Sequence, residues 1–228
     1  MRDSIQFIKR QQPIIKRLLL IIAMLLAIYA VFPALIPSAN SFETIMYRSG
    51  TYALIFLLLS LAITPLRRWL SICFTYLHAP YGKRLADWNF LIQYRRRIGL
   101  ISALFALIHC IAYLHMEVVW IVDEAIEDAL RRSFIWIGWL SITVYVVLTI
   151  TSITAIQKKL KRTWRQIHRS VYGLLVLVLL HFFLAEKAGD TAYLPYVIIG
   201  GLLLIHRIVF AIVDRHNQRY DDGLEATR

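Results

Sequence analysis

Only two cysteines occur in this chain, Cys73 and Cys110, and neither sits in a paired or metal-binding spacing. That excludes a disulfide scaffold, an iron–sulfur cluster and a thiolate zinc site, and both thiols are expected to be packing residues. Internal repeats, low-complexity tracts and a soluble nucleotide-binding module are absent as well. The roughly fifteen residues beyond the last apolar run are too few for a domain, so NAD(P)H or substrate chemistry must come from another protein. Acidic residues are scarce, 14 against 26 Lys and Arg, giving a formal net charge of +12. Such an excess can mark a nucleic-acid partner, but here the basic residues form short clusters between apolar runs rather than one basic face. They read as topological anchors, and no nucleic acid is expected.

What the chain has in abundance is apolar sequence, 59% of 228 residues, far more than one soluble core requires. A helix needs about 20 apolar residues to cross the hydrocarbon of a bilayer. Six segments qualify, at 15–36, 50–66, 98–121, 134–156, 169–186 and 192–213. The expected fold is therefore all-α, a polytopic bundle of six transmembrane helices forming a single domain over 1–228. Lys9, Arg10, Lys16 and Arg17 precede the first run as in a signal peptide, but the run is span-length and no small-residue cleavage site follows, so it is expected to be retained.

The connecting segments sort by charge. Basic residues crowd the N-terminus, the 67–97 loop (Arg67, Arg68, Lys83, Arg84, Arg95, Arg96, Arg97) and the 157–169 loop (Lys158, Lys159, Lys161, Arg162, Arg165, Arg169). By the positive-inside rule these face the cytoplasm, as do both termini. The alternate loops carry Glu43 with Arg48, then Glu117, Asp123, Glu124, Glu127 and Asp128 with Arg131 and Arg132, then Glu186, Lys187 and Asp190, and fit the outer side. Asp123 to Arg131 is spaced for a short amphipathic helix at the outer surface, ending where Trp136 and Trp139 open the fourth span.

Three histidines sit where a bilayer makes them costly: His109, His168 and His181. At 1.5 Å per residue, His109 lies roughly 16 Å into span three and His181 roughly 17 Å into span five, both from the basic side. Two histidines at one level on facing helices can supply both axial ligands of a b-type haem, a six-coordinate arrangement suited to electron transfer. Ser102, Ala106 and Ala112 give the His109 helix the small-residue face that a flat macrocycle or a close helix needs. Ordinary packing around hydrogen-bonded histidines is the competing account. His168 lies about 20 Å along the axis from His181 but is turned by about 220° on an ideal helix. Either the helix is irregular near Gly173 or His168 serves something else: a second haem with His206, a flavin or quinone contact, or an interfacial position. His78, His115 and His216 fall at loop or span ends, where water satisfies them. The Arg95–Arg97 triplet suits haem propionates or a flavin phosphate as well as anchoring.

The segments RRRIGLISALFALIHCIAY (95–113), TSITAIQKKLKRTWRQIHRSVYGLLVLVLLHFF (151–183) and RSGTYALIFLLLSLAITPLRR (48–68) resemble the MsrQ family of haem-binding membrane subunits. That family lies within the ferric reductase-like transmembrane superfamily, shared with NADPH oxidases. The W-x-x-x-H-R-x-V-Y pattern around Trp164, His168 and Tyr172 carries much of the likeness. The resemblance implies that His109 and His181 are axial ligands of a haem iron and that His168 is a third cofactor-binding histidine, a candidate ligand of a second haem. It implies haem b, one or two per chain, with FMN as a further candidate, in a bacterial inner membrane. It also implies electron relay from a cytoplasmic flavin reductase or a membrane quinol to a periplasmic molybdopterin-dependent methionine sulfoxide reductase that repairs oxidised proteins. No catalytic residue for substrate reduction is expected in this chain. Two departures stand out: Arg132-Ser133 replaces the family's Arg-Pro before span four, and His206 is an extra histidine. A stand-alone transmembrane ferric or quinone reductase is the alternative, and a haem-free transporter or assembly factor the third reading.

Overall fold

The computed structural model describes residues 11–35, 41–186 and 190–226. Lys9, Arg10, Lys187 and the end of the first expected span at 36 lie outside the described residues. The described chain forms eight α-helices: α1 (Gln12–Val31), α2 (Ser41–Tyr76), α3 (Ile92–Met116), α4 (Val122–Arg131), α5 (Ser133–Thr151), α6 (Thr154–Ile167), α7 (Ser170–Ala185) and α8 (Leu194–Ala226), with short 3-10 turns at Phe32–Leu35 and Leu85–Leu91. No strand occurs among the described residues.

Five helices are long and apolar enough to cross a membrane unaided, and the count is up to six if the pair α6 and α7, bent by 55° at a short break, is one span. This is an all-α, multi-pass membrane protein. Over 18–31 in α1 and 194–205 in α8 the sequence is almost wholly apolar, and Leu25 at 61%, Ile28 at 62% and Leu202 at 61% exposure suit contact with lipid. Inside, α2 packs along α3 and α5 along α7, the two pairs meet where α3 touches α5, and α8 leans on α2 and α7. Leu54, Phe56, Phe105, Tyr145, Leu174 and Leu175 form the core at that junction. Ser102 is fully buried there; its hydroxyl donates to Ala53 O (2.7 Å) and accepts from Tyr145 Oη (2.8 Å), so its small-residue face serves a close helix rather than a flat ring.

The helices overrun the expected spans. Helix α2 has 36 residues and contains Pro65; at 1.5 Å per residue it is about 54 Å long against a hydrocarbon core of about 30 Å. Its last turns therefore overrun the hydrocarbon. The expected 67–97 loop is thus largely helical, and the expected 157–169 loop is the helix α6. In α6 the apolar Ile156, Leu160, Trp164 and Ile167 recur at helical spacing and are half-buried, while the lysines and arginines are exposed. Helix α7 has only 16 residues, about 24 Å of rise, a little short of a hydrocarbon core of about 30 Å. The irregularity falls at His168 and Arg169, not at Gly173, which is inside regular helix. Cys110 is half-buried as expected, whereas Cys73 is exposed rather than packed, because it lies on the overrun of α2. The amphipathic helix expected over 123–131 is present as α4.

Candidate functional site

Two helix pairs each deliver one histidine to the gap between them. His109 projects from α3 and His181 from α7, and their ring centroids are 6.2 Å apart with the planes at 89°. The histidines expected at one depth are neighbours, with their rings perpendicular. A metal–imidazole bond of about 2.0–2.1 Å, with the ring centre about 1.1 Å behind the nitrogen, puts two trans imidazoles about 6.3 Å apart. The spacing therefore fits two ligands on opposite sides of one metal ion. Among the described residues no group of three or more His, Cys, Asp and Glu side chains is arranged to hold a metal. Two imidazoles alone suit a metal whose remaining positions come from a macrocycle.

The backbone fixes which nitrogen of each ring is free. His109 Nδ1 lies 3.0 Å from Met46 O, with Ser49 Oγ at 3.5 Å. His181 Nδ1 lies 2.8 Å from Phe134 O. A carbonyl can only accept, so both Nδ1 atoms carry the proton and both Nε2 atoms keep the lone pair that a metal needs. This is the outer-shell orientation characteristic of metal-ligating histidines.

The same device is built twice. Four residues after Met46 comes Gly50, and four residues after Phe134 comes Gly138. Helical side chains lean toward the N-terminus, so the side chain at i+4 shields the carbonyl at i. Glycine removes the shield. A Cβ on Gly50 would stand 3.1 Å from His109 Nδ1, and one on Gly138 would stand 3.0 Å from His181 Cε1 and 3.2 Å from its Nδ1. Each imidazole thus lies in a cradle that a single methyl group would fill. These glycines and carbonyls were not anticipated; the available signal was a glycine at the level of the opposing histidine in each neighbouring span.

Above the pair, toward the acidic loops, Phe134 meets His181 edge-on at 5.8 Å and Tyr113 meets Trp139 at 6.3 Å. Tyr113 Oη donates to Asp128 Oδ2 at 2.7 Å, and Arg132 Nε donates to Asp128 Oδ1 at 2.6 Å. Burial works against the Asp128 charge, but the hydrogen bonds from Arg132 and Tyr113 outweigh it and hold the carboxyl below its ordinary pKa. Arg132 also reaches Glu117 at 3.6 Å. The polar cluster ties α4 down over the histidine level.

His168 is not with the pair. It ends α6, its Nε2 is 3.1 Å from Thr151 Oγ1, and its ring stacks on Trp164 at 4.3 Å. Trp164 Nε1 donates to Thr151 O at 3.0 Å. The arginine triplet serves this corner: Arg96 donates to Ser152 O and reaches Thr154 Oγ1 at 3.4 Å, and Arg95 reaches Thr64. Twelve residues separate Arg97 from His109, about 18 Å of helix, which is too far for a propionate at the pair. His206 packs on Phe210 at 4.3 Å in a cleft with Arg68, Tyr172 and Arg207, and its Nε2 is buried without a partner among the described residues. His115 accepts from Trp120 Nε1 at 3.1 Å, His78 Nδ1 bonds Tyr76 O at 2.9 Å, and His216 is exposed.

Comparison with known proteins agrees with this architecture. Residues 49–179 match the family described as ferric reductase like transmembrane component. A protein from Herminiimonas arsenicoxydans named protein-methionine-sulfoxide reductase heme-binding subunit MsrQ is 32% identical over 209 residues, covering 88% of this chain and 87% of that protein. One of the same name from Rhodospirillum rubrum is 31% identical over 182 residues, covering 79% and 80%. The family match contains His109 and ends two residues before His181, and the chain belongs to the ferric reductase-like transmembrane family, among the MsrQ proteins.

Proposed function

We propose that this chain is the haem-binding electron-transfer subunit of a methionine sulfoxide reductase system, with His109 and His181 as the axial ligands of one b-type haem. The observation that carries the reading is the pair itself: rings 6.2 Å apart, both Nδ1 atoms bound to backbone carbonyls, and a glycine opening space for each ring. When bound, the haem supplies a one-electron iron couple that needs no open coordination position. The chain's own residues do the rest. Met46 O and Phe134 O hold each imidazole in the tautomer that ligates. Phe134 covers one ring, and the Tyr113–Asp128–Arg132 cluster fastens the helix above it. Low dielectric around the pair limits reorganisation on electron transfer.

The basic end of the bundle faces the cytoplasm of a bacterial inner membrane, both termini included, by the positive-inside rule. Electrons enter there from a flavin reductase, with FMN as a candidate carrier, or from a membrane quinol. They leave at the acidic end to a periplasmic molybdopterin-dependent methionine sulfoxide reductase, and no substrate is reduced within this chain. The cleft around His206, Arg68 and Tyr172 has a cavity volume of only about 10 Å³, too small for a quinol head group, and favours neither donor. A second haem on His168 would require its Nε2 to leave Thr151, and we therefore propose one haem per chain.

The test is a dithionite-reduced minus oxidised absorbance spectrum of the purified protein, with haem quantified per chain and His109→Ala and His181→Ala alongside. A b-type spectrum at one haem per chain, lost in both variants, is expected. A colourless wild type after haem supplementation, or either variant keeping the six-coordinate spectrum, overturns the assignment.

A further inference from the structure

Helix α6 carries five cationic side chains, Lys158, Lys159, Lys161, Arg162 and Arg165, and no acidic one in its 14 residues. Three of them, Lys158, Lys161 and Arg165, line an open concavity of about 500 Å³ together with Thr154, Gln157 and Trp164. The concavity has an aromatic wall of fixed orientation, because Trp164 Nε1 is bonded to Thr151 O. Arg96 stands behind it, 3.4 Å from Thr154 Oγ1. Its rim is strained. Lys161, with φ 47° and ψ −110°, kinks α6 into two helical halves, a conformation that costs a non-glycine residue about 1–3 kcal/mol.

The level of this concavity in the bundle narrows its ligand. Helix α6 joins the end of one span, at Thr151, to the start of the next, at Ser170, so it lies where hydrocarbon gives way to headgroups. Its half-buried Ile156, Leu160, Trp164 and Ile167 and exposed Ile153 give it an apolar side for acyl chains, and tryptophan favours this boundary. Convergent lysine and arginine with hydroxyl and amide donors suit a phosphodiester.

We propose that the α6 concavity is a binding site for the headgroup of an anionic phospholipid, its phosphodiester held by Lys158, Lys161 and Arg165 and its acyl chains along the Trp164 side. The site is distinct from the histidine pair and does not depend on haem. Through Trp164 and His168, both bonded to Thr151, an occupied site steadies the bend that starts α7.

The experiment uses the full-length protein in mild detergent and native mass spectrometry to follow titration with phosphatidylglycerol, with phosphatidylcholine as neutral control. The variant Lys158→Gln/Lys161→Gln/Arg165→Gln removes the pocket cations. Lys159→Gln/Arg162→Gln/Arg169→Gln removes equal charge from the same segment without touching the lining. Phosphatidylglycerol binding to wild type, weakened at least about tenfold in the pocket variant and less than about threefold in the charge-matched variant, is expected. Equal losses in both variants mean a diffuse basic surface and overturn the site, as does binding unaffected in the pocket variant. Preferential binding of inorganic phosphate or FMN, with phosphatidylglycerol no better than phosphatidylcholine, assigns the pocket to a soluble phosphorylated ligand and overturns the lipid assignment. Far-ultraviolet circular dichroism of each variant separates misfolding from lost binding, and the single change Lys161→Gln supplies the reading should the triple variant not fold.

Discussion

Replacing Gly138 with alanine should weaken the protein's hold on haem while leaving the stability of the empty protein little changed. The new Cβ would stand 3.0 Å from His181 Cε1 and 3.2 Å from Nδ1, whereas ordinary carbon contacts settle at about 3.5–4.0 Å. The ring must therefore retreat by about 0.5 Å. The His181 Nδ1 to Phe134 O hydrogen bond, 2.8 Å long, then stretches to about 3.3 Å and becomes a poor one. Ligand positions around a metal tolerate only about 0.2 Å, and loss of an outer-shell partner typically lowers metal affinity by about 10–100-fold, or about 1.4–2.7 kcal/mol. Against this, alanine in a helix interior is favoured over glycine by about 0.5–1 kcal/mol. In the empty protein that gain is offset by the same stretched hydrogen bond, worth about 0.5–1.5 kcal/mol, so its stability should change by less than about 1 kcal/mol while haem affinity falls. Gly173→Ala is the control, since a Cβ there meets nothing within 4 Å; it should gain helix stability without cost. Haem retention is read by transfer to a haem-scavenging protein and stability by thermal unfolding in detergent. Haem held as tightly by Gly138→Ala as by Gly173→Ala would refute the cradle argument.

Ser102→Ala should destabilise the bundle more than Tyr145→Phe. The phenylalanine removes one interhelical hydrogen bond, worth about 0.6 kcal/mol in a membrane protein, and leaves Ser102 bonded to Ala53 O. The alanine instead strands the buried Tyr145 hydroxyl, at about 1–3 kcal/mol. Unfolding in mixed detergent micelles measures both, and equal losses would contradict the donor assignment. Asp128→Asn should loosen α4 by about 1–2 kcal/mol, discounted for its partly exposed Arg132 partner. Because its folded pKa is depressed, the wild-type contribution is present above the ordinary carboxylate pKa of about 3.9 and fades as pH falls through the lower folded value. Amide exchange in α4 should thus be flat from pH 8 to 5, corrected for intrinsic rates, and rise only below about pH 4. A transition near neutrality would point to another group.

The sequence alone determined the membrane class, and it pointed to a sidedness for the loops and to the two histidines that the fold brings together. Each follows from one-dimensional rules: span length from bilayer thickness, orientation from charge bias, and histidine depth from a fixed rise per residue. The amphipathic α4 was legible for the same reason. Where the chain bends, those rules fail. The wheel that put His168 opposite His181 assumes a straight helix, but the helix breaks between them by 55°, and the basic stretch read as a loop is α6. The ring separation, the tautomers and the glycine cradles were decided only in three dimensions. A backbone carbonyl exists at every residue, so its role leaves no mark in composition; it becomes selective only when a glycine four residues on uncovers it and a neighbouring helix brings an imidazole within 3.0 Å, as for Met46, Gly50 and His109.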